Sequence, residues 1–338
     1  MPFQIIRGNI LDSSCDAIIN PSDEQLSGEG GLDREIHRLG GSWLDMSCRE
    51  LAPICPGRAV VTESFQNRWR YIIHTAAPWY IGEAEQFEQL RMCYRNSFAA
   101  AERMRLNSVA FPLVGTGFRG FPKDLVLKIA TEEARAFLKR NEDVQLTLVV
   151  HDMSQYQADP SLLADFEEHC HRRQCLEEAR FVDMCCCFAD LDDDEAAPVN
   201  YSSRPKPIAA PKKESKPLFT PEKGFKPDES FSQMVLRKID EKGMTDPQCY
   251  HKANMDRRLF SKIRSQPDYQ PKKSTALALA VALELDIEEC KELLEKAGYS
   301  LSKSILFDQI IEYCICSKVY DVFVINELLF QYDQSLLG

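Results

Sequence analysis

Along the first 150 residues, short apolar runs alternate with longer segments in which apolar positions recur every three or four residues. FQIIRG, DAIIN, YIIHTA, SVAFPLVG and QLTLVVHD have the character of strands buried on both faces. LDREIHRLGG, FEQLRMCYRNSFAAAERMR and LVLKIATEEARAFLKR lie between them and carry helical periodicity. This alternation predicts an α/β domain, with the third of those helices as the crossover between the last two strands. A further helix is predicted over 161–180. From 181 to 228 the periodicity ends. An acidic run, DLDDDE, precedes seven prolines between Pro198 and Pro227, a composition that cannot bury enough apolar surface to offset its ordering entropy and so predicts a flexible linker. Periodicity then returns without strands, in SFSQMVLRKIDEK, DPQCYHKA, DRRLFSKIRS, STALALAVALEL, IEECKELLEKAG, ILFDQIIEYCIC and VFVINELLFQY. Three regions are therefore expected: an α/β domain over 1–180, a proline-rich linker over 181–228 and an all-α domain over 229–338.

Composition narrows the function classes. No uncharged apolar run reaches membrane-spanning length, and the start, MPFQIIRGNI, lacks the layout of a secretory signal. Thirteen irregularly spaced cysteines suit a reducing compartment better than a disulfide framework. A cytoplasmic protein without membrane association is expected. The formal charge of -11 argues against indiscriminate nucleic-acid binding. Residues 252–273 differ, with seven basic side chains against Asp256 and Asp268.

The candidate chemistry lies in two glycine-bearing loops. One, within Asn20 to His37, places Gly28, Gly30 and Gly31 between a buried strand and a helix. The other, Gly115-Thr116-Gly117-Phe118-Arg119-Gly120, follows the strand SVAFPLV. Glycines admit close backbone approach, and a helix N-terminus favours anions, so the pair of loops can form a cleft for a diphosphate. Read singly, each loop is equally a tight turn.

With RGNI at 7–10, DAIIN at 16–20, YIIHTAAP at 71–78 and FPLVGTGFRGFP at 111–122, the first 175 residues resemble the macro domain family. The resemblance implies a three-layer α/β/α fold with a mixed sheet, binding ADP-ribose or a related nucleotide as ligand, with no cofactor. It implies that the two loops grip the diphosphate, and that Asn9 and Ile10 lie at the adenine end. Some relatives hydrolyse ADP-ribose from modified substrates, which would give Asp33, with Asn20 and Asp23, a catalytic role as a carboxylate orienting water. Against that stands a plainer reading, in which Asp33 caps the helix that begins near Arg34.

The sequence departs from the family pattern at four places. Asn9 replaces an aspartate, Asp23 an asparagine, Glu29 a glycine and Arg119 an aromatic residue that packs on the distal ribose. Glu29 brings a negative charge to a phosphate loop, and Arg119 is suited to pair with a phosphate or with Glu29. A scaffold with a degenerate pocket is the alternative these departures favour. His37 and His74 fall in strongly structured segments and read as packing residues. His169, Cys170, His171 and Cys175 match no standard zinc spacing, and no metal is expected.

Residues 229–298 resemble helix-turn-helix domains of phage-repressor type. DPQCYHKA would be the second helix and DRRLFSKIRS the third, the helix that in such domains enters the major groove. That resemblance assigns Arg257, Arg258 and Ser261 to base edges and Lys262 and Arg264, with Lys252, Lys272 and Lys273, to phosphates. A solvated basic face on a protein-binding unit is the competing reading. The apolar segment 304–338 is either core or a homodimer surface. Function is thus expected to be nucleotide binding coupled to DNA or protein binding, with hydrolysis as the alternative.

Overall fold

The computed structural model describes residues 2–65, 67–153, 156–189 and 229–338. Residues 1–166 and 230–338 form one compact unit, and 167–229 a second. Of the expected linker, only the backbone of 181–189 is described, as helix, and 190–228 lie outside the described residues.

Among the described residues six strands make one sheet in the order β1-β6-β5-β2-β4-β3: β1 (Phe3–Arg7), β2 (Ala17–Ser22), β3 (Ala59–Glu63), β4 (Tyr71–Ala76), β5 (Ser108–Phe111) and β6 (Gln145–Val150). All neighbours are parallel except β3, which runs antiparallel to β4. The sheet is therefore mixed, as expected. Consecutive side chains of a strand point to opposite faces, and both faces are filled here. Ile19, Ile73, Val109 and Leu148 join one core with helices α2 (Ala84–Arg103) and α3 (Lys123–Leu138). Their neighbours Ile18, Ile72, Ala110 and Val149 join another with α1 (Gly31–Leu51). Strand β3 was not anticipated from the sequence. Its residues AVVTE are only partly buried apart from Thr62, so they lack the continuous apolar signature of the central strands.

Helix α4 (Pro160–Ala189) extends beyond the 161–180 predicted for it. The C-terminal region is helical, with α5 (Phe231–Glu241), α6 (Asp246–Lys252), α7 (Arg257–Ser265), α8 (Lys273–Ala282), α9 (Ile287–Lys296), α10 (Leu306–Cys316) and α11 (Val322–Gln331). Capping boxes at Ser230, Thr245 and Asp286 start α5, α6 and α9.

These helices share a core with the α/β part. Phe323 and Phe330 of α11 belong to the same apolar cluster as Phe3, Phe98 and Phe111. Phe323 stacks on Phe3 with ring centroids 5.3 Å apart, and the Arg135 guanidinium carbon lies 4.4 Å from the Phe323 ring centroid. The edge of β1 is closed by Asn254, in the turn between α6 and α7. Asn254 tolerates its positive φ of 49° better than most residues and is thereby placed against Phe3. Its Oδ1 accepts from Phe3 N at 3.1 Å and its Nδ2 donates to Phe3 O at 2.7 Å, so an otherwise open strand edge is paired. The apolar residues of 304–338, among them Ile310, Ile311, Ile325, Leu328 and Leu329, are buried within this chain. Of the two readings open from the sequence, these side chains are core.

Burial of Glu327 on α11 raises its carboxyl from 4.5 to about 7. Between those values the folded chain holds a proton that the unfolded chain has released, so stability falls as pH rises through this window and stays lower above it. Glu327→Gln is expected to stabilise the protein at pH 8, by up to about 3 kcal/mol, and to have no such effect at pH 4. Thermal melting at the two pH values checks this.

Candidate functional site

Strands β2 and β5 are neighbours, yet the helices that follow them pack on opposite faces, α1 on one and α3 on the other. This is a topological switch point, where the loops leaving the two strands diverge and leave a crevice at the C-terminal edge of a parallel sheet. The loop after β2 carries Gly28, Gly30 and Gly31, and the loop after β5 carries Gly115 to Gly120. Helix α1 begins at Gly31 and α3 at Lys123, so two helix N-termini adjoin the crevice. Sequence reasoning found both loops because glycine clusters directly follow buried apolar runs.

Two of the glycines are required by geometry. Gly28 has φ of 75°, and a Cβ there would stand 2.8 Å from His37 Cγ. Gly115 has φ of 88°, and its Cβ would stand 3.0 Å from the Phe121 ring. The second loop is closed by Gly120 N donating to Gly117 O at 3.0 Å, Phe121 N to Gly115 O at 3.1 Å and Thr116 Oγ1 to Leu113 O at 2.9 Å. Phe118 stands on it 79% exposed.

At the end of β2, Asp33 is buried at the centre of a polar cluster. Asn20 Nδ2 donates to its Oδ1 at 2.5 Å, Ser22 Oγ donates to its Oδ2 at 3.0 Å, and His37 Nε2 lies 3.5 Å from Oδ1. Burial is the main reason its carboxyl lies above the usual range, with the Asn20 hydrogen bond opposing. The N-cap of α1 is Gly30, whose carbonyl accepts from Arg34 N. Asp33 is therefore in the first helical turn with its side chain turned to β2, which corrects the capping interpretation. Asp23 does not join this cluster. Its oxygens take Ser27 N, at 3.0 Å, and the Ser27 hydroxyl, closing the first loop on itself.

Behind Asp33, His37 Nε2, Cys48 Sγ and His74 Nε2 lie within 4.8 Å of one another, a grouping the sequence did not suggest because it joins α1 and β4. Each histidine is already engaged. His74 Nδ1 accepts from Asn20 Nδ2 at 3.1 Å and its Nε2 is 2.9 Å from Thr62 Oγ1, while His37 Nδ1 is 2.7 Å from Asp45 Oδ1. Burial lowers His74 to about 3, which keeps it neutral, and pushes the Cys48 thiol up to about 12. His74 thereby holds the Asn20 amide from behind while Asn20 bonds Asp33. In α4, His171 Nδ1 and Cys175 Sγ approach to 3.6 Å, one turn apart.

Of the two residues that the resemblance assigns to adenine, Ile10 is buried and Asn9 caps a short 3-10 turn, its Oδ1 accepting from Leu11 N at 3.0 Å. Glu29 is exposed, and its peptide carbonyl accepts from Arg34 Nη2. Arg119 pairs with Glu24, not Glu29: Nη2 to Glu24 Oε2 is 2.8 Å, and its guanidinium carbon lies 4.8 Å from the Trp79 ring centroid. Glu24 was missed in the sequence because it lies 95 positions from its partner.

The predicted nucleic-acid-binding residues lie together on α7 and are exposed: Arg257, Arg258, Ser261, Lys262 and Arg264. Arg264 is paired with Asp246. Arg257, at the helix N-terminus, lines a cavity of about 730 Å³ shared with Arg135, Lys139 and Glu142 of the α/β part. Tyr250 and His251 of α6 both bind the Glu142 carboxylate, at 2.9 and 3.1 Å. The turn and leading end of α7 thus abut the α/β part. Among the described residues no helix is long and apolar enough to cross a membrane.

Residues 19–130 match the pattern of the Macro domain family. An uncharacterized protein of Thermoplasma volcanium is 34% identical over 170 residues, spanning 48% of this chain and 91% of that protein. The ADP-ribose glycohydrolase MACROD1 of Mus musculus is 35% identical over 150 residues, 44% of this chain and 46% of its own length. A crystal structure of the Trypanosoma brucei macrodomain in complex with ADP-ribose is 30% identical, with a TM-score of 0.42, covering 46% of this chain and 66% of that one. The helical region 229–338 lies beyond the matched family segment. With its switch-point crevice, its two glycine loops and a relative matched over nearly its whole length, the chain belongs to the macro domain family.

Proposed function

We propose that the crevice between the loops after β2 and β5 binds ADP-ribose or a closely related nucleotide. The observation that carries this reading is the switch point itself, with two glycine loops and two helix N-termini gathered at one edge of the sheet. Backbone N–H groups and helix dipoles supply the anion recognition that a diphosphate requires. The exposure of Glu29 supports it as well, since a solvated carboxylate repels the ligand less than one facing the phosphates. In this reading Asn9 and Ile10 serve the adenine end, and Gly28, Gly30, Gly31 and the 115–120 loop serve the diphosphate. Titration of the full chain with ADP-ribose tests it.

A second reading, removal of ADP-ribose from a modified substrate, is favoured by the Asn20–Asp33–Ser22 cluster. A carboxylate held in place by two donors and raised above its ordinary range has the properties of a base that takes a proton from water attacking the distal ribose. Water adds to the anomeric carbon, the bond to the modified acceptor breaks, and the acceptor leaves with a proton. Asp23 is bound up with Ser27 and contributes to loop shape instead. Asp33→Asn, which keeps the volume and the Ser22 contact, is expected to cut turnover by about 100-fold or more with ADP-ribose affinity changed only a few-fold. Unchanged turnover in a folded variant would remove Asp33 from the chemistry.

The helical lobe is read as the partner-binding part. The exposed cations Arg257, Arg258 and Lys262 on α7 favour an acidic partner, DNA or protein. Because Arg257 sits beside Glu142, such a partner would meet α7 and the α/β part together.

A further inference from the structure

The cavity of about 730 Å³ where the helical lobe meets the end of α3 is separate from the crevice. Pro2, which immediately precedes β1, lines it, and so do Lys139 and Glu142 on the connection from α3 into β6. Because β1, β6, β5 and β2 are parallel, this is the edge of the sheet at which the strands begin, opposite the one that carries the glycine loops. The other walls come from α6 and the turns on either side of it, and from the start of α11. A concavity of this size at the junction of two parts of a chain has the dimensions and the position of a small-molecule site.

Its lining divides by polarity. Leu138, Met255, Val322 and Phe323 are buried, whereas Lys139, Lys242, Lys252 and Arg257 are exposed, so the cavity is apolar inside and cationic at its mouth. Five lysine and arginine side chains stand against three carboxylates, a surplus of two positive charges. Each carboxylate is already engaged: Asp321 by Arg135 at 2.7 Å, Glu284 by Lys252 at 2.8 Å, and Glu142 by Tyr250 and His251. Lys139, Lys242 and Arg257 are left without a carboxylate in contact among the described residues, the Lys242 ammonium reaching only the Glu284 peptide carbonyl, at 3.4 Å.

Helix stability accounts for part of this arrangement. Lys139 and Lys242 cap the C-terminal ends of α3 and α5, where the helix dipole favours a cation. Arg257 opens α7, where the dipole opposes one. The dipoles therefore explain neither the arginine nor the convergence of all three cations on one apolar cavity.

We propose that this cavity is a second ligand site, independent of the crevice, for a small phosphate monoester with an apolar, ring-sized body. A phosphate monoester carries about -1.5 to -2 charges at neutral pH, which matches the surplus. Its oxygens accept from Lys139, Lys242 and Arg257, and its body covers Leu138, Met255, Val322 and Phe323. Such a ligand touches the α/β part and the helical lobe at once, so its binding stabilises the two together.

Calorimetric titration of the full chain with naphthyl phosphate, naphthol and inorganic phosphate tests this at physiological ionic strength, where exposed charges more than about 8 Å away are largely screened. One site for naphthyl phosphate is expected, with affinity at least about tenfold above that for either of the other two probes and a melting temperature raised at saturation. The double variant Lys139→Glu with Lys242→Glu is expected to weaken naphthyl phosphate by about tenfold or more, while naphthol binding is unchanged. No binding of naphthyl phosphate to wild type would overturn the proposal. So would equal affinities for naphthyl phosphate and naphthol, which would leave the cations without a role, or equal affinities for naphthyl phosphate and inorganic phosphate, which would leave the apolar walls without one. Undiminished binding in the double variant would place the probe elsewhere and overturn it too. Should the double variant fail to fold, Arg257→Gln carries the same prediction with a loss of about threefold or more.

Discussion

Phe323→Ala is expected to lower the unfolding free energy by about 3–5 kcal/mol and to destabilise the α/β part along with the helices. Phe323 belongs to α11, yet its ring stacks on Phe3 of β1 and is covered by Arg135 of α3, which is itself paired with Asp321 at 2.7 Å. Removing the ring leaves a cavity at the seam and takes away the surface on which the Arg135 side chain rests. The three tryptophans, Trp43, Trp69 and Trp79, all lie in the α/β part. Urea denaturation followed by tryptophan fluorescence should therefore show a single transition shifted to lower urea, with circular dichroism at helical wavelengths following the same curve. A fluorescence transition that stays in place while the helical signal moves would show that the lobes unfold independently.

The second large effect is expected at Gly28. Valine there has to adopt a backbone angle of 75° that branched residues avoid, and its Cβ would stand 2.8 Å from the His37 ring, itself pinned by Asp45 and close to Asp33. The loop has to move outward. Displacement of a binding loop by about 1 Å is enough to cost roughly 100-fold in function, so Gly28→Val is expected to lose ADP-ribose binding by about that factor or more. The loop lies away from the seam, and the melting temperature should fall only modestly. Calorimetric titration and melting on the same preparation check the two parts of this expectation.

Much of this molecule was legible in its sequence, and the reasons differ by element. The five predicted strands and the seven C-terminal helices follow from periodicity, because burial on two faces or on one stripe writes itself directly into residue order. Strand β3 escaped because a short, half-buried edge strand has neither signature. The glycine loops were readable for a local reason, a turn next to a buried run. The Asn20–Asp33 contact was foreseen only as a resemblance, and the plainer capping interpretation of Asp33 failed because Gly30 starts the helix three residues earlier.

What the sequence could not convey is partnership across distance. Glu24 and Arg119, or Asn254 and Phe3, meet only after the sheet is assembled, and no local pattern marks them. The same holds for the last helix. Apolar residues on α11 announce burial but not against what, and here Phe323 and Phe330 complete the core of the α/β part. One consequence bears on experiment: a fragment ending near residue 180 would expose Phe3 and the unpaired edge of β1, so binding is best measured on the whole chain.

The central claim is that the crevice at the β2–β5 switch point holds ADP-ribose. Isothermal titration of the full chain with ADP-ribose tests it most directly. One site with a dissociation constant near the micromolar range, about -8 kcal/mol, together with a raised melting temperature at saturating ligand, is the predicted result. No heat of binding and an unchanged melting temperature would contradict it.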